Sequence, residues 1–312
     1  MSTPKPAQKF QRQFLCPKYW GIWFGFLLLR LISFLPRALK FFIGKNIGQL
    51  LYYIAPSRKS LARKNLQLSF PNKNEEQIEN ILKKHFESLG ISLIETTINL
   101  WGSHRRPYQK KEKPPFFTFH GLENLNAYPN QGLLLVVPHF TTIETTGLML
   151  SYKTPFRPIY RQHDNPLMEY LITKSRTLIL NSGQTVAPLA NTNTRGMIKA
   201  LKENENIMIL PDQRYRAKGS IKVPFFGKEA PSNPGICKLA KLGNAKVLPV
   251  FTRRHGQRYE IIIHPGLDNF PSGDDYADIL RLHQLYEAEI KTNPAQYLWT
   301  HNRWDLQKGR DY

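Results

Sequence analysis

Two side chains five residues apart, His139 and Glu144, are the part of this chain best placed to do chemistry. They follow Gly132-Leu133-Leu134-Leu135-Val136-Val137-Pro138, an apolar run that reads as a buried strand, and they precede a segment, 145–152, that reads as the body of a helix. Ligands of open α/β sheets bind at the carboxyl ends of strands, where this histidine would emerge. An imidazole accepts a proton near neutral pH, and a nearby carboxylate can fix its tautomer and stabilise the imidazolium. The chemistry expected of such a pair is activation of a hydroxyl belonging to the substrate, with His139 as base and Glu144 as its orienting carboxylate. An isolated H-x-x-x-x-E arises easily by chance, so the reading depends on what else converges on that strand end.

Three further segments fall where a site on this sheet would draw its residues. Tyr160-Arg161-Gln162-His163-Asp164-Asn165-Pro166 stands at a strand end and opens a helix that reaches Arg176. Leu210-Pro211-Asp212-Gln213-Arg214 ends another strand and puts an acid and a base at its mouth. Val223-Pro224-Phe225-Phe226-Gly227 is apolar and lies beyond a loop that carries Arg214, Arg216 and Lys218. Singly these have ordinary structural accounts: a solvated strand end, a turn former, a buried strand. Together they offer His, Glu, Arg, Asp and an apolar wall, strand after strand.

The elements that must position them alternate. Strands are expected at 116–119, 133–137, 157–160, 207–210, 223–226, 246–251 and 259–264, and helices at 142–152, 166–180, 194–203, 234–242 and 274–291. That alternation predicts an α/β fold with a mixed, largely parallel sheet covered by helices. Ahead of it the pattern is helical at 57–70 and 74–101, with Asn72 and Glu75 as the expected capping pair of the second helix. A basic, proline-containing linker at 103–115 joins the two regions. Neither G-x-G-x-x-G nor G-x-x-x-x-G-K-[ST] occurs, so the usual dinucleotide and P-loop phosphate sites are not expected.

Charge supplies a second clue. The 312 residues carry 44 Lys+Arg against 23 Asp+Glu, a net charge of +21, and the first acidic residue is Glu75. Such a field attracts polyanions, either nucleic acid or an anionic membrane. Tyr19 to Leu35 reads YWGIWFGFLLLRLISFL, broken only by Arg30, and nucleic-acid grooves have no use for a run like that. It lies at the short end for a bilayer span, which takes ~20 residues. Arg30, Ser33, Arg37 and Lys40 are spaced as one polar stripe on a helix, which favours a helix lying in the membrane interface or a short span with a snorkelling basic end. Residues 1–56 are therefore expected to form a basic N-terminal membrane-anchoring helix region, and 57–312 an α/β domain with a helical lead-in at 57–102. No small-x-small cleavage site follows the apolar run, and two distant cysteines, Cys16 and Cys237, suggest neither a disulfide framework nor a metal site. The folded part is expected to face the cytoplasm.

With these residues in place, the chain resembles the bacterial lipid A biosynthesis acyltransferases, the lauroyl and myristoyl transferases within the wider lysophospholipid acyltransferase superfamily. Four sequence blocks carry the resemblance: His139 and Glu144 followed by Gly147; Tyr160-Arg161 with Asn165-Pro166; Pro211-Asp212-Gln213; and Val223 to Gly227. A fifth, Gln296-Tyr297-Leu298-Trp299-Thr300-His301-Asn302-Arg303-Trp304, matches the Q-Y-x-W-x-H-x-R segment of the lipid A branch. The third block reads PDQR where the wider superfamily has P-E-G-T-R. The resemblance implies transfer of a fatty acyl chain, laurate or myristate, from acyl carrier protein to a hydroxyl on a 3-hydroxyacyl chain of a Kdo-bearing lipid A precursor. It implies no cofactor and no metal, and a place on the cytoplasmic face of the inner membrane, beside anionic lipid rather than nucleic acid. His139, Glu144, Arg176 and Asp212 match the active-site positions, and Arg161, Asn165, Gln213, Arg214, Val223 and Phe225 the substrate-binding ones. The competing readings are acylation of a glycerophospholipid or another glycolipid, and a non-catalytic basic protein that binds membrane or nucleic acid.

Overall fold

The apolar run at 132–138 lies in the middle of the sheet, buried on both faces. The computed structural model describes residues 10–101, 116–179 and 185–306; the linker at 103–115 lies outside them, and the helix expected at 166–180 ends at Arg176, because Thr177 is extended and Leu178–Ile179 form a short strand. Four helices come first, α1 (Trp20–Ser33), α2 (Arg37–Ile54), α3 (Pro56–Ser69) and α4 (Glu75–Trp101). The alternating region follows with β1 (Phe117–His120), α5 (Glu123–Asn126), β2 (Leu133–Val136), α6 (Ile143–Leu150), β3 (Arg157–Tyr160) and α7 (Pro166–Arg176). Next are the short strands β4 (Leu178–Ile179), β5 (Thr185–Val186) and β6 (Leu189–Ala190), then α8 (Thr194–Lys202) and β7 (Ile207–Ile209). The chain ends with β8 (Ile221–Phe225), β9 (Lys228–Ser232), α9 (Gly235–Gly243), β10 (Lys246–His255), β11 (Arg258–Ile263) and α10 (Asp275–Thr292).

Seven strands form one sheet in the order β1-β11-β10-β2-β7-β3-β6. Every step is parallel except the β10–β11 hairpin, so the sheet is mixed and mostly parallel. Alternate residues of β2 feed opposite cores, as period-2 geometry requires. Leu134 and Val136 pack with Met197 and Leu201 of α8 and Ile236 of α9, whereas Leu133, Leu135 and Val137 pack with Leu148, Met149 and Leu150. A parallel strand buried on both faces has to read as an unbroken apolar run, and this one does. On the α8 side α10 completes the cover through Ile279, Leu282, Tyr286 and Ile290, its N-terminus capped by Asp274, which accepts from Tyr276 N and Ala277 N.

Three further expectations need correction. The capping pair of α4 is Asn74 and Gln77, which exchange hydrogen bonds at 2.9 and 3.1 Å, not Asn72 and Glu75; Asn72 lies in the preceding turn. The stripe Arg30–Ser33–Arg37–Lys40 does not lie on one helix. Pro36 has an extended backbone and starts a new helix, because its ring cannot continue the old one. Lys40 turns back to the Ser33 carbonyl at 2.7 Å, and Arg37 sits 3.5 Å above the Phe116 ring instead of reaching outward. Segment 223–226 is not a strand of the main sheet. It belongs to β8, which pairs only with β9, through a two-residue turn in which Phe226 (φ 50°) and Gly227 (φ 71°) both adopt the left-handed region. In α1, the apolar run expected to lie at a membrane, no residue is buried. Among the described residues no helix is long and apolar enough to cross a membrane.

Helices α2 and α4 lie against each other through glycines. A methyl group on Gly48 would run into the Phe86 carbonyl, and one on Gly90 into the Gly44 carbonyl, so only hydrogen permits this approach. We predict that Gly48→Leu or Gly90→Leu destabilises the protein by at least ~1–3 kcal/mol through overpacking. Gly25→Ala, where the added methyl would meet nothing within 4 Å, should leave the thermal midpoint unchanged or raise it. Equal midpoints for all three variants in thermal unfolding would contradict this packing.

Candidate active site

Strand register explains why the candidate base meets its acid. β2 and β7 are parallel neighbours with Val136 opposite Ile209, and His139 and Asp212 each stand three residues beyond that pair. Both strands are still bonded one step further, Val137 N donating to Ile209 O at 3.0 Å. The two side chains therefore emerge side by side at the carboxyl ends of the strands. His139 Nδ1 lies 2.6 Å from Asp212 Oδ1, and the His139 backbone N–H donates to Asp212 Oδ2 at 2.9 Å. With the carboxylate accepting from Nδ1–H, the imidazole is held in the tautomer whose Nε2 carries a lone pair. Asp212 is 1 % exposed. Burial alone would raise its pKa, but the charge and hydrogen bonds of His139, together with the charge of Arg303, outweigh that and hold it below the usual carboxylate range.

This geometry corrects one assignment. The carboxylate that orients His139 is that of Asp212, not Glu144. Glu144 lies in the first turn of α6 and instead accepts from Arg176 Nη2 at 2.6 Å, across from the end of α7. The neighbouring strand delivers Asp212 to the ring, although it stands seventy-three residues away in sequence.

A cavity of about 450 Å³ opens beside the pair. His139, Glu144, Arg161, Arg176 and Gln213 all line it. Tyr160 and His163, which sequence reasoning quoted without a role, line it too. The loop that carries Arg161 is fixed to α7: Tyr160 Oη donates to Glu169 Oε1 at 2.5 Å, and His163 N to Glu169 Oε2 at 2.9 Å. The remaining candidates lie elsewhere. Asn165 caps α7, accepting from Leu167 N and Met168 N. Val223 and Phe225 are fully buried in the core against α10 and form no wall of the cavity. Arg214 and Arg216 both pair with Asp305, whose single negative charge offsets part of the positive charge of that loop. Cys237 is buried, and its thiol is pushed up to about 12, mainly by burial, which removes it from consideration as a nucleophile.

Sequence reasoning missed the role of the C-terminal segment. Residues 296–301 lie along the His139 turn: Leu298 N donates to His139 O at 2.9 Å, Thr141 N donates to Gln296 O at 2.7 Å, and Phe140 bridges Tyr297. The Gln296 amide also exchanges hydrogen bonds with the Arg254 backbone of β10 at 2.9 and 2.7 Å. His301 Nε2 accepts from Arg214 N at 3.1 Å, and the buried Arg303 donates to Pro231 O, Ser232 Oγ and His283 Nε2 at 2.7, 2.8 and 3.0 Å. The signal was present in the polar residues of the Q-Y-x-W-x-H-x-R segment, which are unusual in a buried stretch.

A family profile described as "Bacterial lipid A biosynthesis acyltransferase" matches residues 7–305. The chain is 35% identical over 305 residues to "Lipid A biosynthesis palmitoleoyltransferase" of Escherichia coli (strain K12), covering 96% of this chain and 95% of that protein. It is 32% identical over 301 residues to "Lipid A biosynthesis lauroyltransferase" of the same organism, covering 95% of each. The "Lipid A biosynthesis myristoyltransferase" of that organism matches at 24% over 297 residues, 93% of this chain and 88% of that protein.

Both histidines of the C-terminal cluster are pushed down to about 4, chiefly by burial, His283 and His301 alike. Their hydrogen bonds agree, because each uses Nε2 as an acceptor. The unfolded chain takes up protons near the ordinary value of about 6.5, whereas the folded chain resists until about 4. Their contribution to stability is therefore complete above that upper value and is lost as pH falls toward the lower one. We predict that the thermal midpoint drops across this window and that His283→Gln makes the drop shallower. An identical pH profile for the variant would refute the assignment.

Proposed function

The chain belongs to the bacterial lipid A biosynthesis acyltransferases, and on that premise we propose that His139, held by Asp212, is the general base of the acyl transfer. The observation that carries this reading is the oriented imidazole at the mouth of the cavity. The acceptor is proposed to be a hydroxyl of a 3-hydroxyacyl chain on a Kdo-bearing lipid A precursor, and the donor a laurate or myristate thioester of acyl carrier protein. In the proposed step Nε2 of His139 takes the hydroxyl proton as the oxygen attacks the thioester carbonyl. The tetrahedral intermediate collapses with loss of the thiolate, which recovers the proton from the imidazolium. Asp212 stabilises that imidazolium and keeps Nδ1 protonated throughout. The negative charge that grows on the carbonyl oxygen needs donors, and Arg161, Arg176, Asn191 and Gln213 are cationic and amide groups on the cavity wall suited to that or to the phosphates of the acceptor. Glu144 serves by fixing the Arg176 guanidinium.

We expect His139→Ala and Asp212→Asn each to lower kcat by ~10²–10⁴-fold with purified acyl carrier thioester and lipid A precursor, the range for loss of general-base catalysis. Near-normal turnover by folded His139→Ala protein would overturn the assignment of the base.

From the same premise we propose that the protein works at a membrane, with α1 and α2 lying in the interface on the cytoplasmic face of the inner membrane. At 14 residues α1 is ~21 Å long, short of a ~30 Å hydrocarbon core. Trp20, Phe24, Leu27, Leu28 and Leu31 recur with helical spacing and are all exposed, Trp20 at 62 %, and Phe34 extends the patch at 69 %. An apolar stripe this large is costly in water and suits the acyl boundary of a bilayer. The basic residues around it, Arg12 and Lys18 among them, suit anionic headgroups. Phe24→Asp with Leu31→Asp should move the protein from the membrane pellet toward the soluble fraction. Full retention of the double variant after a high-salt wash would show that other surfaces hold it.

A further inference from the structure

The ladder between β2 and β7 stops short of the residues it delivers. Its last backbone bond runs from Val137 N to Ile209 O, two residues before His139 and three before Asp212. Beyond that point the turn at 299–301 bridges the two chain segments. On one side of it Leu298 N donates to His139 O at 2.9 Å. On the other, the His301 ring accepts from Arg214 N, two residues past Asp212, at 3.1 Å. Helix α3 holds the turn itself. Asn65 Nδ2 donates to Trp299 O at 2.6 Å and to His301 O at 2.7 Å. Arg58, seven residues earlier on the same helix face, donates to Thr300 O at 3.3 Å. Three consecutive carbonyls beside the proposed base thus accept from one helix of the N-terminal region.

Asn65 is 1 % exposed, between the core residues Ala62 and Leu66, and its buried Oδ1 has no hydrogen-bond partner among the described residues. An unpaired buried amide oxygen is unfavourable, so the acceptor end of the side chain does not explain an asparagine here. Its two N–H donors do: they diverge from one nitrogen and reach carbonyls two residues apart. An apolar side chain of the same size would suit the core and leave both carbonyls without this donor. We infer that Asn65 is a positioning residue of the transfer site, which clamps the 299–301 turn and so fixes the two chain segments that carry His139 and Asp212. The inference rests on the proposed reading of that pair as the base and its orienting acid. A slack turn would let His139 Nε2 leave the line of proton transfer while the cavity walls stay in place. The loss should therefore fall on kcat and not on KM.

The test compares purified full-length Asn65→Ala with Leu66→Ala, which removes packing from the same helix but no donor from the turn. Asn65→Ala should lower kcat by ~10–10²-fold with KM little changed, the scale of a small misplacement transmitted to reacting groups. Leu66→Ala should lose thermal stability and keep near wild-type kcat. Proton NMR supplies a readout that does not need turnover. The 2.6 Å contact of His139 Nδ1 with Asp212 Oδ1 should place the shared proton far downfield of ordinary ring N–H resonances, and Asp212→Asn identifies that signal by removing it. Asn65→Ala should move it upfield or broaden it, whereas Leu66→Ala should leave it in place. Asn65→Ser offers one donor instead of two and should fall between Asn65→Ala and the wild type; if Asn65→Ala does not fold, it carries the test on the same criteria. Equal losses of kcat in Asn65→Ala and Leu66→Ala would reduce Asn65 to a stabilising role, and a wild-type kcat and resonance in folded Asn65→Ala would show that the turn needs no clamp; either result sinks the inference. If the resonance shifts as expected while His139→Ala keeps its turnover, the clamp stands and the proposed base fails instead.

Discussion

A carboxylate cut off from water is tolerated only where charge and hydrogen bonds replace what water supplied, and much of this site follows from meeting that demand at Asp212. Two of its bonds come from one residue, the backbone and ring nitrogens of His139. The charge behind them is Arg303, itself buried and in need of partners. It finds them in the Pro231 carbonyl, Ser232 and His283, and it lies over the Phe225 ring at 5.4 Å. The β8–β9 ribbon, α10 and the C-terminal segment thus converge on seating one guanidinium. Phe225 belongs to that support, and neither it nor Val223 lines the cavity.

A second buried ion pair ties the N-terminal helices to the same turn. Arg254 on β10 meets Glu95 on α4 at 2.5 Å, and Tyr259 donates to that carboxylate. Arg254 also donates to Ser88 of α4, whose hydroxyl contacts Thr141 Oγ1 at 2.7 Å. Thr141 is two residues past His139. The sheet, the long helix and the histidine turn are therefore held through one connected polar network, in which each charge would be costly if its partner were removed. Since α2 packs on α4 through glycines, the N-terminal helices are continuous with the site's own scaffold.

Local signals carried most of the fold. Strand positions followed from apolar runs, helix positions from periodicity and caps, and the mostly parallel sheet from their alternation. What could not be read was register. Glu144 is five residues from His139 and Asp212 seventy-three away, so proximity in sequence favoured the wrong carboxylate as the orienting partner. Only the pairing of Val136 with Ile209 makes the distant acid the neighbour, and no single-sequence pattern encodes that. Other misses were readable. Pro36 in the middle of a supposed stripe is a helix breaker, Asn74-x-x-Gln77 is a better-formed capping pair than Asn72-x-x-Glu75, and Phe226-Gly227 between two short strands is a hairpin turn. The pairing of the Arg214 loop was hidden for another reason: Asp305 lies ninety-one residues from Arg214, so its contact with that loop is invisible locally.

The position of α7 bears on how a lipid-facing surface and a reaction centre fit in one molecule. Phe14 and Tyr19, ahead of the apolar helix α1, form a small core with Leu167 of α7, and Tyr170 packs on the Phe14 ring at 5.8 Å. Trp23 of α1 donates to the Phe14 carbonyl at 2.7 Å, which fixes the start of that helix to the same cluster. The other end of α7 carries Arg176, the partner of Glu144 in the cavity, and its middle carries Glu169, which holds the Arg161 loop. From Leu167 in that small core to Arg176 is nine residues of α7, ~14 Å, while the Arg161 side of the rim is held at Glu169, two residues past Leu167. On the proposed reading this distance is what the chemistry asks for. An acceptor with acyl chains in a bilayer and phosphates at its surface has to offer a hydroxyl near the boundary between the two, and a rigid spacer of helix sets the depth at which His139 can meet it.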